Sequence, residues 1–193
     1  MKVAIVGPEA SKWTKEQKPK VKREVWNIFW KEGGIGYHYE ECNYGVYVGL
    51  NTVWDFDKNL TLVSGHCPKD GVDIWAEEMA DENGIKKLIF TPEVNQWENK
   101  VRSFNGYNPM GIDRGEVIGY VHQTETLIGY KSRNIKIAET CDVLYCIVPY
   151  YYTSMFPTYC KHCNIIGHPS NGGCWTMKYA KKLGRETHLV VIE

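Results

Sequence analysis

The chain has 193 residues, room for one sizeable core but not for two. Its 23 basic residues balance 23 acidic ones, so a broad electrostatic hold on nucleic acid is not expected. No stretch approaches the roughly 18 consecutive apolar residues of a membrane helix, and the N-terminal apolar run is too short for a signal peptide. The expected setting is therefore the cytoplasm, with no membrane partner. One basic stretch remains, Lys12, Lys15, Lys18, Lys20, Lys22 and Arg23, and it reads as a solvated helix face with its preceding loop.

In chain order, residues 2–7 form a short apolar run bounded by glycine and predict a buried strand. Residues 16–31 place Val21, Val25, Ile28 and Phe29 at helical spacing, and Gly33-Gly34 ends that helix. Residues 35–59 are irregular, with a hairpin expected around 44–48 and 52–56. A strand at 60–64, a polar turn at 65–71 and a helix at 72–83 follow, the helix turning Trp75, Ala76 and Met79 inward. Residues 86–90 give the next strand and 91–114 a long loop. Residues 116–139 read as largely helical, broken near Gly129. A strand at 142–148, a second long loop at 149–171, a helix at 172–184 and a strand at 187–192 complete the chain. Short apolar runs alternating with helical patterns predict βαβ units. The fold class expected is Rossmann-like α/β: a doubly wound, mainly parallel five-stranded sheet with helices on both faces. We read residues 1–193 as a single domain with insertions at about 35–59, 93–131 and 150–168.

In such sheets ligands bind at the carboxyl ends of the strands. The first strand ends in Gly7-Pro8-Glu9, where glycine lets a ligand approach the backbone, or simply makes a tight turn. The second ends in Ser64-Gly65, and Gly71-Val72-Asp73 then opens a helix whose unpaired amides could hold a phosphate. Asp73 would accept from a ribose hydroxyl or cap the helix. Arg133-Asn134 offers a planar fork for phosphate and an amide for a base edge. Gly172-Gly173 enters the last helix as a second anion seat, followed by Cys174, Trp175 and Thr176. A G-x-x-x-x-G-K-[ST] loop is absent, so P-loop ATP hydrolysis is not indicated.

These pieces, in this order, resemble the SLOG superfamily, named for the Smf/DprA and LOG proteins, and most nearly its small stand-alone YspA-like Rossmann members. The residues that carry the resemblance are Gly7, Ser64-Gly65 with Gly71 and Asp73, Arg133-Asn134, Asp142, Gly172-Gly173 and Ala180-Lys181-Lys182-Leu183-Gly184. The resemblance implies a nucleotide-ligand site at Gly7, Pro8, Glu9, Ser64, Gly65, Gly71, Asp73, Arg133, Asn134, Gly172, Gly173 and Thr176. Cleaving LOG members carry Pro-Gly-Gly-x-Gly-Thr-x-x-Glu. Here the second Gly-Thr step is altered and the Glu is absent, which carries binding over more fully than phosphoribohydrolase activity.

The leading expectation is thus a receptor for a nucleotide or nucleotide-derived phosphate, acting as a sensor. The alternative is a nucleotide N-glycoside hydrolase or transferase, with a carboxylate facing the oxocarbenium-like sugar. Glu9, Asp73 and Glu93 are the carboxylates near strand ends. Glu93 is the catalytic candidate, and Arg133 would hold the 5′-phosphate. A DNA-binding protein of the DprA sort is disfavoured by the neutral charge. The long loops supply Tyr150, Tyr151, Tyr152, Phe156 and Tyr159 as aromatic surface, and a homo-oligomer is expected.

Seven cysteines are many for a chain too long to need disulfide staples. Cys160-Lys161-His162-Cys163, with His168 and Cys174 beyond, has the ligand types of a Cys3His zinc site. Cys160, Cys163, His168 and Cys174 would hold a structural zinc that clips the long loop to the last helix. The alternative is a set of reduced, partly buried thiols. No redox cofactor is expected.

Overall fold

In the computed structural model, residues 1–43, 46–93, 123–151 and 158–193 are described. Six parallel strands form one sheet, in the order β6-β5-β4-β1-β7-β8. They are β1 (Lys2–Val6), β4 (Thr61–Ser64), β5 (Lys86–Glu93), β6 (Gln123–Ile128), β7 (Val143–Pro149) and β8 (Glu186–Ile192). Among the described residues four α-helices accompany them: α1 (Gln17–Gly33), α2 (Val72–Glu82), α3 (Gly129–Thr140) and α4 (Gly172–Lys182).

Side chains alternate across a strand, so each strand feeds two cores. Val3 and Ile5 of β1 join Val21, Val25 and Phe29 of α1 and Trp75 and Ala76 of α2 on one face. Ala4 and Val6 join Ile137 and Ala138 of α3 and Cys174 and Ala180 of α4 on the other. Strand β7 is buried along its whole length, as a central parallel strand covered on both faces must be. This is the expected doubly wound α/β fold, and all five expected strands are present.

The differences have local causes. Residues 123–128 were expected in a helix but form β6, at the sheet edge beside β5. Its sequence, Gln-Thr-Glu-Thr-Leu-Ile, lacks the apolar run that marks a buried strand; the alternating threonines are the strand signal. The expected break at Gly129 is real: that residue has φ +70° and starts α3. Strand β5 runs on to Glu93 through Pro92. Its pairing with β4 stops at Ile89, so beyond that point a missing N–H costs no bond on the β4 side.

A separate antiparallel ribbon, β2 (Gly34–Asn43) and β3 (Val46–Phe56), occupies most of the first expected insertion. Its first strand lies before the expected 44–48, and residues 44–45 are outside the described residues. Most of the second insertion, 93–131, also lies outside them, as do Tyr152 and Phe156 of the third.

Strand order reverses between β1 and β7. From β1 the chain winds outward through β4, β5 and β6, then returns to β7 on the other side of β1. Crossovers leave this point in opposite directions and open a crevice at the carboxyl ends. Thr14 and Gln17 brace its rim with a reciprocal capping box at the start of α1, Gln17 N–H to Thr14 Oγ1 and Thr14 N–H to Gln17 Oε1, both 3.2 Å. The Gln17 amide also donates to the Ile192 carbonyl at 3.1 Å, tying α1 to the end of β8.

Candidate functional site

A cleft of about 350 Å³ opens at this reversal point. Of the residues expected in a site, Gly7, Pro8, Glu9, Arg133, Asn134, Gly172 and Gly173 line it. Close backbone approach makes this possible. A Cβ on Gly173 would stand 3.2 Å from the Gly7 Cα, and one on Gly7 would stand 2.7 Å from the Ile147 carbonyl oxygen. Two glycines therefore let the first turn of α4 rest on the end of β1.

Asn171 caps α4, its side-chain oxygen accepting the Cys174 N–H at 2.9 Å. The Trp175 N–H bonds back to the Asn171 carbonyl. Among the described residues no acceptor meets the amides of Gly172 and Gly173, two residues that line the cleft at the positive end of the helix dipole. Thr176 does not line the cleft; its hydroxyl donates to the Gly172 carbonyl at 2.8 Å and braces that turn.

The α2 seat is built differently from expectation. Glu9 bridges to Gly71, and the Ala10 N–H bonds to the Asp70 carbonyl at 3.1 Å, so residues 8–10 lie across the start of α2. Ser64, Gly65, Gly71 and Asp73 stand behind the cleft wall. Asp73 does not cap its helix but accepts the N–H of Gly7. Ser64 is fully buried and donates to Glu77 Oε1 at 2.5 Å, while Glu77 Oε2 meets His66 Nδ1 at 2.7 Å.

Arg133 links the two parts. Its Nη1 donates to the Gly65 carbonyl at 2.9 Å and lies 3.7 Å from Asp73 Oδ2. Its Nε and Nη2 both donate to Asn134 Oδ1. The guanidinium packs over the Tyr130 ring at 5.2 Å. Most of the fork expected to grip a phosphate is thus spent on the scaffold.

Burial pushes the Asp73 carboxyl up to about 6, against the opposing pull of Arg133. The bond to Glu77 raises His66, so its imidazolium is favoured. Glu9 moves the other way: the Ser11 hydroxyl and the nearby Lys69 and Lys12 hold its carboxyl below the usual range. Burial pushes the Cys67 thiol, on the cleft wall, up to about 11, which keeps it protonated. Glu93 is the last residue of β5, in register with Ile128. Trp175 stacks on Tyr179 at 5.4 Å beside Lys178 and Lys182, in a separate hollow away from the cleft.

Cys160, Cys163, His168 and Cys174 converge, with their donor atoms within 4.8 Å of one another. The group could hold a metal ion. His168 is buried; its Nδ1 bonds to the Pro169 carbonyl at 3.0 Å, and its Nε2 faces Cys163 Sγ at 3.1 Å.

The sequence reading missed Glu77 and His66, and the cleft residues Lys69, Tyr130, Tyr151 and Asn171. A signal existed for two of them. Asn171 directly precedes a helix, and Glu77 sits one turn after Asp73 on the face that also carries Ala76 and Ala80.

No protein-family profile and no curated protein matches the chain. Among solved structures it is similar to the X-ray structure of DNA processing protein A (DprA) from Streptococcus pneumoniae. The TM-score is 0.50 and the identity 16%, over 97% of this chain and 49% of that one. The chain thus spans about half the length of that protein. At this identity the likeness is one of fold: the chain has the Rossmann-like α/β fold of DprA.

Proposed function

We propose that the cleft between β1, β7 and α4 binds a nucleotide or a nucleotide-derived phosphate. The single observation that carries this reading is a pair of unpartnered amides at a helix start, those of Gly172 and Gly173, on the wall of a cleft at the strand-order reversal. The surroundings suit the rest of such a ligand. Lys12, Lys69 and Arg133 supply positive charge, and ionised Glu9 can accept from ribose hydroxyls. Tyr130, Tyr151 and Pro149 supply flat apolar surface for a base. The volume falls in the range of small-ligand clefts, about 300–1,000 Å³.

Isothermal titration with nucleoside 5′-monophosphates and their parent nucleosides tests it. The monophosphate is expected to bind at least tenfold more tightly than the nucleoside, about 1.4 kcal/mol. Equal affinity, or no binding of any monophosphate, would overturn the reading.

One observation favours catalysis beside binding. Glu9 lines the cleft and is held ionised, the state required to face an oxocarbenium-like sugar. Release of free base from a bound monophosphate, lost in Glu9→Gln, would make the protein a nucleotide N-glycosidase. For the Cys3His group we propose zinc: three thiolates and an imidazole match its ligand preference, and four protein ligands make a closed structural site.

A further inference from the structure

The four metal-ligand candidates and the cleft share one piece of chain. His168 and Cys174 bracket residues 169–173, and all five of those residues line the cleft, including the two amides of the anion seat. We propose that a zinc ion held by Cys160, Cys163, His168 and Cys174 fixes both ends of this segment and so sets the anion seat, making the seat's order depend on metal loading. The link to ligand affinity rests on the nucleotide reading above; the metal and the ordering do not.

Several features beyond the residue types support this. Residues 159–166 form a tight knuckle: Tyr159 and Ile166 bridge in antiparallel fashion, the Cys160 N–H bonds to the Ile165 carbonyl at 3.0 Å, and the Asn164 N–H bonds to the Cys160 carbonyl at 2.9 Å. Asn164 takes φ +62°, a left-handed position that asparagine tolerates.

His168 completes the set. The Pro169 carbonyl accepts a hydrogen bond from Nδ1–H, which leaves the Nε2 lone pair facing Cys163 Sγ. Cys174 arrives from the first turn of α4, so one bond to it would pin the helix start that carries Gly172 and Gly173. Zn–S bonds of about 2.3 Å put tetrahedral sulfurs about 3.8 Å apart. The donors' spread of 4.8 Å therefore needs only a small contraction to close on an ion.

Without the ion, Gly173 still packs on the end of β1, but residues 169–171 have few polar ties. Among the described residues, the segment's polar ties beyond itself and α4 run from Ser170, whose Oγ accepts the Lys161 N–H at 3.0 Å and whose side chain also meets Cys160, and from the Pro169 carbonyl to the adjacent His168.

The test uses the full chain in three arms. In the first, elemental analysis of protein purified without chelator is expected to give one zinc per chain. Cobalt added to stripped protein is expected to give the intense absorption of tetrahedral cobalt thiolate. No stoichiometric uptake, or a pale octahedral spectrum, would overturn the site. Cys163→His, which keeps a ligand, should retain metal, whereas Cys163→Ser should lose it; equal retention by both would also overturn it.

In the second arm, amide hydrogen exchange compares zinc-loaded and chelator-stripped wild-type protein. The hydrogen-bonded amides of Cys174 and Trp175 should exchange much faster when stripped, while β1 and β4 stay protected. Identical exchange at Cys174 and Trp175 would overturn the ordering role, and global loss of protection would overturn its confinement to the seat.

The third arm measures nucleoside monophosphate affinity in both forms. If stripping leaves the seat ordered a tenth of the time, affinity falls about tenfold. Equal, measurable affinity in both forms would overturn the linkage. Absence of binding in both, with the exchange difference present, would overturn the nucleotide reading and leave the zinc-ordered segment standing.

Discussion

Replacing Arg133 by methionine removes a charge from beside a buried carboxylate while keeping most of the side chain's volume. A buried ion pair broken from one side ordinarily costs about 3–5 kcal/mol. Asp73 has an escape: it can take up a proton. Its folded-state value is about 6 even with Arg133 present, so protonating it costs on the order of 1 kcal/mol at pH 7 and on the order of 3 kcal/mol at pH 8. Those figures cap the electrostatic loss. A pH-independent part of about 1–2 kcal/mol adds to it, for the donors lost to the Gly65 carbonyl and Asn134 Oδ1. The total deficit of Arg133→Met is then about 1–2 kcal/mol at pH 6, about 2–3 at pH 7 and about 4 at pH 8.

The sign follows from proton counts. Without Arg133 the Asp73 value rises further, so between pH 6 and 8 the folded variant holds more protons than the folded wild type and loses stability faster as pH rises. Urea unfolding at the three pH values, followed by tryptophan fluorescence, reads the deficit directly, and the titration of His66 largely cancels in the comparison. Adding Asp73→Asn should abolish the pH dependence of the deficit. A deficit that stays flat from pH 6 to 8 in Arg133→Met would refute the pairing.

Two further perturbations probe the same region. Gly7→Ala would set a methyl 2.5 Å from Val72 Cγ2 and 2.7 Å from the Ile147 carbonyl oxygen, neither of which can retreat without moving α2 or β7. A loss of about 1–3 kcal/mol in thermal or urea unfolding is expected, and a neutral change would contradict the close packing of β1's end. Glu77→Gln removes the main cause of the raised His66 value; NMR titration of that ring should show its midpoint falling toward the ordinary histidine range. The raised wild-type value adds stability below the unfolded histidine's value that disappears as pH climbs through the folded one, so the variant's stability should vary less between pH 6 and 8.

How much of this was legible beforehand depends on where each residue's partners lie. Val3, Ile5, Leu62 and Leu144 sit in apolar runs bounded by glycine or polar residues, and such a run announces a buried strand without further context. The edge strand β6 has one sheet neighbour and a polar sequence, so nothing local separated it from the helix that follows. The start of α4 was readable because Asn171-Gly172-Gly173 is local chemistry. The start of α2 looked equally suitable, but residues 8–10, more than sixty positions earlier, lie across it. Arg133 was legible as a cation near the site, but its commitment to Gly65 and Asp73 is a fact of register. The Cys160–Cys174 group was found by ligand type and spacing alone; that residues 169–173 also wall the cleft emerges only from the fold.

The ribbon of β2 and β3 leaves and rejoins the chain at a single point. Gly34 pairs with Phe56, and the Asp57 N–H bonds to the Gly33 carbonyl at 2.8 Å, so its two ends stand about 5 Å apart. Phe56 is held there edge-on by Trp26 and Trp30 of α1, at 5.4 and 6.2 Å between ring centres. The gap between α1 and β4 is therefore closed before the ribbon begins. The appendage hangs from an aromatic collar as a branch hangs from a trunk. Lengthening, trimming or exchanging it leaves the path from β1 to β4 unaltered, which makes this the position where such a chain can take on or shed an accessory limb without redesigning the body that carries it.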